Sequence, residues 1–267
     1  MDTSNKYTLI TGASSGIGYE LAKLFAKDGH NLILVSRDTD TLQKLASALQ
    51  ANTIDVVVIG SDLFQPCNAR EVYNTVKSNG YEVDILVNDA GQGLYGEFVD
   101  TDLDRELDII NLNISSLVVL TKLFLKDMLR QGSGKILNLS SIASRLPGPW
   151  QSVYHGTKAF VQSFTEAVRA EVKDKGVSVT ALLPGATDTD FFRKAGMLDS
   201  KVVQEGSLAS AADVAKDGYQ ALMNGDDKVV SGAKNKVQTA MAAVTPDDML
   251  AAQMHKKQAP VNHEAEK

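Results

Sequence analysis

The chain has 267 residues, 43% of them hydrophobic and 22% charged, with a formal net charge of -6. That is globular composition with enough apolar content for a substantial core, and the interspersed charges leave no basic stripe of the kind nucleic acid requires. Cys67 is the only cysteine, so no internal disulfide framework exists.

The opening stretch, MDTSNKYTLITG, lacks the basic segment and apolar run of a signal peptide. It leads into a first predicted strand, YTLIT, at 7–11. Directly after it comes TGASSGIGYELAKLF, in which Gly12, Gly16 and Gly18 fall where a strand turns sharply into a helix. Glycines there let the backbone approach a pyrophosphate, which the free N–H groups of the helix start attract. The turn residues Gly12, Ser14, Ser15, Gly16, Ile17 and Gly18 are therefore candidate cofactor ligands.

The second strand, NLILVS at 31–36, runs into RDTD. A carboxylate at its end would hold a ribose and repel a 2′-phosphate. Ser36 occupies that position and Arg37 follows, a hydroxyl and a guanidinium suited to phosphate. The pair predicts NADP(H) over NAD(H). Asp38 and Asp40 weaken the electrostatic case, and a solvated loop is the alternative for Arg37.

Further strands are predicted at 56–61, 84–88, 135–140 and 177–183, with helical spacing between them and Gly29, Gly80, Gly132 and Gly176 at helix ends. Cys67 sits in a loop leading into a helix, a poor setting for a catalytic thiol. The most apolar run, 109–125, is interrupted by Asn111, Asn113, Ser115, Ser116, Thr121 and Lys122, and reads as too short and too polar to span a bilayer. A soluble cytoplasmic protein without a membrane partner is the expectation.

Strands of near-continuous hydrophobicity alternating with helices predict an α/β fold, a mainly parallel, doubly wound sheet covered on both faces. One domain is expected over 1–245, with a loose lid at 187–210, a helix at 211–224 and an edge strand near 226–232. The segment 246–267 reads as a polar tail covering little core.

TGASSGIG, SDL at 61–63, NDAG at 88–91, SS at 140–141, YHGTK at 154–158 and PGATDT at 184–189 occur in the order and spacing of the short-chain dehydrogenase/reductase family, which the chain resembles from about residue 5 to 230. The resemblance implies a Rossmann-type fold and hydride transfer between a nicotinamide cofactor, here NADP(H), and a carbonyl or alcohol substrate. It assigns Tyr154 as proton donor, Lys158 as its tuner and ribose ligand, and Ser141, thirteen residues before Tyr154, as the hydroxyl that binds the substrate oxygen. Asn113 matches an asparagine that links the lysine to solvent through a water.

The chemistry agrees: a tyrosine four residues before a lysine shares a helix face with it, and an ammonium lowers a phenol's pKa. With Phe160, Phe164, Ala167, Val168 and Val172 as the buried stripe, the pair falls at its margin. Asp62 and Leu63 match an adenine-contacting pair, while Asn88, Ala90 and Gly91 fit the turn beside the cofactor. Pro184, Gly185, Thr187 and Thr189 resemble the segment that meets the nicotinamide carboxamide and opens into the lid.

The family's fourth-strand motif begins with two asparagines, so Asp89 is a departure, expected to alter a structural hydrogen bond. His155 points about 100° from Tyr154 and is not expected to be catalytic. Trp150 and Gln151 are candidates for the substrate pocket, with packing the alternative for the tryptophan. The resemblance also implies a homodimer or homotetramer through 101–131 and 154–174. A catalytically silent cofactor sensor of the same fold is the rival reading, and the presence of Ser141, Tyr154 and Lys158 together argues against it.

Overall fold

The computed structural model describes residues 5–50 and 53–261. Short runs of Val, Ile and Leu, too brief for helices, form a parallel sheet of seven strands: β1 (Lys6–Thr11), β2 (Asn31–Ser36), β3 (Val56–Gly60), β4 (Glu82–Asn88), β5 (Gly134–Leu139), β6 (Val177–Leu183) and β9 (Lys228–Val230). Two further strands, β7 (Thr187–Asp188) and β8 (Ala209–Ser210), pair with each other at the two ends of the predicted lid. Strand order in the main sheet is β3-β2-β1-β4-β5-β6-β9. The order reverses between β1 and β4, where Thr11 lies beside Asn88 at the strands' carboxyl ends. A crevice opens outside such a switch point, and ligands of doubly wound sheets bind in it.

Helices α1 (Gly16–Lys27), α2 (Thr39–Leu49) and α9 (Ala211–Asn224) bury one face of the sheet around Phe25, Leu34 and Leu182. Helices α3 (Pro66–Ser78), α4 (Leu103–Ile110), α5 (Leu117–Gln131) and α6 (Ser152–Val172) bury the other around Leu9, Phe124 and Ile136. Apolar strands covered on both sides are what the unbroken hydrophobic runs require.

Residues 111–116 join α4 to α5 as a π-helical turn, so 103–131 is one helical run of 29 residues, long and apolar enough by composition to cross a membrane. The helix has nearly the bounds 101–131 that its spacing suggests, but the apolar stretch 109–125 is part of a run longer than the expectation of a segment too short to span a bilayer allows. Its interrupting polar residues serve the fold: the Ser116 hydroxyl donates to the Leu63 carbonyl at 2.6 Å, and Thr121 accepts from the Asn88 amide at 3.0 Å.

Two expectations are corrected. In α6 the buried stripe is Lys158, Val161, Thr165, Val168 and Val172, while Phe160 is 41% exposed. The stripe is centred on Thr165, which accepts from Asn138 of β5, rather than on the aromatics. Tyr154 and Lys158 therefore lie in line with the buried face and not at its margin.

The tail is also more than polar cover. Helices α10 (Ala233–Ala242) and α11 (Asp247–Gln258) fold back over the crevice, and Leu250 and Met254 pack with Ala242 and Leu146. Two apolar residues four apart suffice for that contact and leave too weak a periodic signal to read. Residues 262–267 of the expected tail, like 1–4 of the expected domain, lie outside the described residues. Within the lid lie the short helices α7 (Phe191–Ala195) and α8 (Lys201–Gln204).

Candidate active site

A cavity of about 870 Å³ runs along the carboxyl ends of the strands, from Arg37 at one end to α11 at the other. The glycine turn forms its floor at the β1 end. Gly12 and Gly16 have φ of +72° and +60°, which side chains other than glycine rarely adopt. Each also lacks room: a Cβ on Gly12 would lie 2.9 Å from Asp89 Oδ2, and one on Gly16 3.0 Å from Thr189. The Gly12 N–H donates to the Val35 carbonyl at 2.9 Å, fastening the turn to the end of β2. Ser15 precedes α1 without capping it by its side chain, and Gly16 and Ile17 of the first turn of that helix line the cavity. Ser14 and Ile17 line the same wall.

At the end of β2, the Ser36 hydroxyl lies 2.8 Å from that of Ser14. The Arg37 guanidinium stacks on the Phe64 ring at 4.7 Å and reaches Asp62 at 3.9 Å. Asp62, Leu63 and Phe64 line the cavity beside it, so the sequence reading missed only the aromatic platform. The phosphate cradle, the Ser36–Arg37 pair and the Asp62–Phe64 edge converge on one trough, and this donor set fits a nicotinamide dinucleotide.

Asp89, Ala90 and Gly91 border the trough, held by Thr11, whose hydroxyl oxygen accepts from the N–H groups of Asp89 and Ala90, both at 3.1 Å. Asn88 does not face it. Its amide nitrogen is spent in the core, on Thr121 at 3.0 Å and Asn138 at 2.8 Å, because the last residue of β4 turns its side chain toward β5. The expected contact of Asn88 with a cofactor is thus replaced by a structural one. Asp89 takes up the space under Gly12 and Gly18. Burial pushes its carboxyl up to about 7, against the opposing charge of Lys158 and a hydrogen bond from the Gly18 N–H.

Asn113 sits in the π-helical turn, where the extra residue per turn rotates its side chain inward. Its amide donates to the Gln92 carbonyl and to Thr157, both at 2.9 Å, and accepts from the Gln92 N–H at 3.0 Å. These bonds bind the loop after β4 to α6. Asn113 Oδ1 and Lys158 Nζ both border Gly91, at 3.3 and 3.4 Å from the place of its absent Cβ.

Tyr154, Lys158 and Ser141 meet in the middle of the cavity. The Lys158 ammonium donates to the Leu139 carbonyl at 2.8 Å and stands 5.8 Å from the centre of the Tyr154 ring. Burial lowers Lys158 to about 8, while Asp89 holds it up. Burial also raises Tyr154 to about 12, and the Ser141 hydroxyl beside it pulls the other way. The expected lowering of the phenol by Lys158 is therefore not found: desolvation dominates, only Ser141 opposes it, and the tyrosine keeps its proton.

Ser141 accepts from the Ala143 N–H at 3.1 Å. Ser140 instead donates to the Lys158 carbonyl at 3.0 Å, a structural tie, because neighbours along the chain turn to opposite faces. Pro184, Gly185, Thr187 and Thr189 complete the wall toward the lid, with the Phe191 ring 5.1 Å from that of Tyr154.

His155 is buried. Its Nδ1 lies 2.8 Å from the Leu146 carbonyl and its Nε2 3.0 Å from the Gln258 amide nitrogen, which suits a neutral ring protonated at Nδ1. Burial also lowers its pKa. The Tyr95 hydroxyl donates to the Gln258 carbonyl, and the Tyr95 ring stacks on Trp150. His155 thus clasps α11 to the site. The role of α11 was missed because Gln258 carries no chemical signature in sequence. Cys67 is exposed at the start of α3 and does not line the cavity.

A model of the short chain dehydrogenase family matches residues 6–197. An uncharacterized oxidoreductase of Staphylococcus epidermidis is 31% identical over 206 residues, covering 77% of this chain and 88% of its own. A short-chain dehydrogenase of Sphingobium yanoikuyae, solved with NADPH, is 27% identical with a TM-score of 0.81, over 96% of this chain and 98% of its own. A family structure from Burkholderia phymatum, solved with NAD, shares the fold at 21% identity and a TM-score of 0.78, over 90% and 93% of the two chains.

Proposed function

The chain belongs to the short-chain dehydrogenase family, an oxidoreductase that transfers hydride with a nicotinamide cofactor, and on that premise we propose that it is an NADP(H)-dependent carbonyl reductase with Tyr154 as proton donor. The observation that carries this reading is the convergence of Ser141, Tyr154 and Lys158 in one cavity with the glycine cradle. When bound, a nicotinamide would supply the hydride. Everything else is done by the chain.

Gly12, Ser14, Ser15, Gly16, Ile17 and Gly18 hold the pyrophosphate. Gly91, Pro184, Gly185, Thr187 and Thr189 line the nicotinamide end, and Asp62, Leu63 and Phe64 the adenine end. Ser141 donates to the substrate oxygen, and Tyr154 delivers the proton as negative charge develops there. A phenol raised to about 12 holds that proton at neutral pH, as a proton donor must. The Lys158 ammonium stabilises the phenolate left behind and binds the ribose. Asn113 keeps Gln92 and Thr157 in place behind the lysine.

The preference for NADP(H) rests on Arg37 and Ser36, which offer a guanidinium and a hydroxyl where a carboxylate would be needed for NAD(H) selectivity. Solved neighbours hold NADPH in one case and NAD in another, so the preference stands on these two residues. A second copy covers α4 and α6, where Leu103, Leu107 and Phe160 are exposed. Light scattering that finds a stable monomer refutes the dimer.

The direct test is NADPH oxidation over a panel of aldehydes and ketones, for the wild type and Tyr154→Phe. Turnover falls at least a hundredfold in the variant while NADPH binding persists. Undiminished turnover in Tyr154→Phe overturns the assignment.

A further inference from the structure

Gln151 stands immediately before α6, three residues from Tyr154, and is 4% exposed. Its backbone is fully engaged: the N–H donates to the Gly148 carbonyl at 3.0 Å, and its carbonyl accepts from the His155 N–H at 3.0 Å. The preceding Trp150 is held at φ +70°, and its carbonyl accepts from Gly96 at 2.9 Å. The side chain is a different matter. The carboxamide nitrogen is enclosed, yet has no hydrogen-bond partner among the described residues.

Gln151 makes no capping bond to α6, and glutamine is a poor capping residue in any case, so helix initiation does not explain it. Nor does packing explain it, since a buried amide without a partner costs free energy that an apolar residue of the same shape would not.

Its surroundings are those of the reacting centre. The amide nitrogen lies 3.1 Å from the place a Cβ on Gly93 would take, and the tip of the Phe191 ring lies 2.9 Å from the same point. That ring is the one packed against Tyr154. Gln151, Tyr154 and Phe191 all line the cavity. Gly93 leaves the amide its room. The buried, unpartnered amide oxygen of Gln258 is a weaker candidate, because that side chain's nitrogen is already spent on His155 in the clasp of α11.

We propose that Gln151 is a specificity-determining residue that donates a hydrogen bond to a second oxygen of the substrate, a few bonds from the carbonyl that Tyr154 protonates. The substrate class is then a carbonyl compound bearing a further acceptor, such as a keto ester or an acyl ketone, rather than a simple ketone. This deepens the reductase reading and rests on its placement of the reacting carbonyl at Tyr154. A site that leaves one buried donor unmet discriminates against a substrate lacking the acceptor.

The test compares ethyl acetoacetate with methyl pentyl ketone, which have equal chain length and differ in the ester oxygens. Dissociation constants for the NADPH-saturated protein, read by calorimetry, and kcat/KM are measured for the wild type, Gln151→Leu and Gln151→Met. The second variant keeps the approximate size of the side chain while removing the donor. NADPH binding and the melting curve identify folded variants. The wild type favours the keto ester about tenfold, the worth of one buried hydrogen bond, and both variants bring the ratio near one. A wild-type ratio near one, an unchanged ratio in a folded variant, or no binding of either compound to NADPH-loaded wild type overturns the inference. A binding preference without turnover of either compound leaves the role of Gln151 standing and removes the reductase reading instead.

Discussion

The backbone N–H of Gly18 donates to the carboxyl group of Asp89, joining the start of α1 to the end of β4 beneath the glycine turn. Burial keeps Asp89 protonated up to about pH 7, whereas an unfolded aspartate ionises near its ordinary value of 3.8. Between these values the unfolded chain has released a proton that the folded chain retains. Stability therefore falls as pH rises through this window, and the loss is complete above about pH 7. Asp89→Asn, whose amide oxygen still accepts from Gly18, escapes the loss. Denaturant unfolding finds the variant equal to wild type near pH 4 and more stable near pH 8, by on the order of 2–4 kcal/mol. A difference that does not grow with pH refutes the account.

The same contact makes Gly18 intolerant of any side chain. A Cβ there would stand 2.5 Å from Asp89 Oδ2 and 2.8 Å from the Gly12 carbonyl oxygen. The carbonyl is backbone and belongs to the cradle, so the cradle itself must shift. Gly18→Ala costs about 1–3 kcal/mol of stability and weakens NADPH binding at least tenfold. Wild-type affinity in the alanine variant shows the turn to be more pliant than its packing implies.

Those two residues mark the limits of what the sequence makes legible. Gly12, Gly16 and Gly18 are readable because a strand, a tight turn and a helix must follow one another, and glycine spacing records that. Tyr154, Lys158 and Ser141 are readable by their spacing within a known family pattern. The structural hydrogen bond expected of Asp89 is there, from the Gly18 N–H, but its coupling to Lys158 is not readable, since groups from β1, α1 and α6 come together only in the fold. Asn88 was misplaced for a related reason: neighbours in a strand face opposite ways, and only the register with β5 decides which side meets the core. The stripe of α6 was read from its aromatics, although Thr165 is what docks against Asn138. Helix α11 has only Leu250 and Met254 to announce it, and its contact with the site runs through one glutamine.

The proposed preference for NADP(H) turns on Arg37. Its guanidinium lies over Phe64 at the adenine end, 56% exposed and only loosely paired with Asp62, so it is available to a 2′-phosphate. A charge-assisted hydrogen bond of this kind is worth about 1.5–3 kcal/mol. Arg37→Gln therefore weakens NADPH binding by about tenfold to a hundredfold and leaves NADH binding nearly unchanged. Fluorescence titration with both cofactors decides it. Wild-type protein that binds NADH as tightly as NADPH removes the preference altogether.

Lys158 and Asp89 titrate against each other, and the pH profile of reduction reports it. Burial lowers Lys158 to about 8, and the Asp89 charge is what keeps it from falling further. Tyr154, at about 12, stays protonated well above that. The alkaline limb of kcat/KM for NADPH-dependent reduction therefore belongs to loss of the Lys158 ammonium, as an apparent value for the coupled pair, and lies near pH 8. Asp89→Asn removes the anion that supports the ammonium, so the limb moves to lower pH by about half a unit or more. The same substitution that stabilises the fold at pH 8 thus narrows the pH range of activity. An Asn variant whose limb stays in place, or moves upward, shows that Asp89 does not act on the lysine.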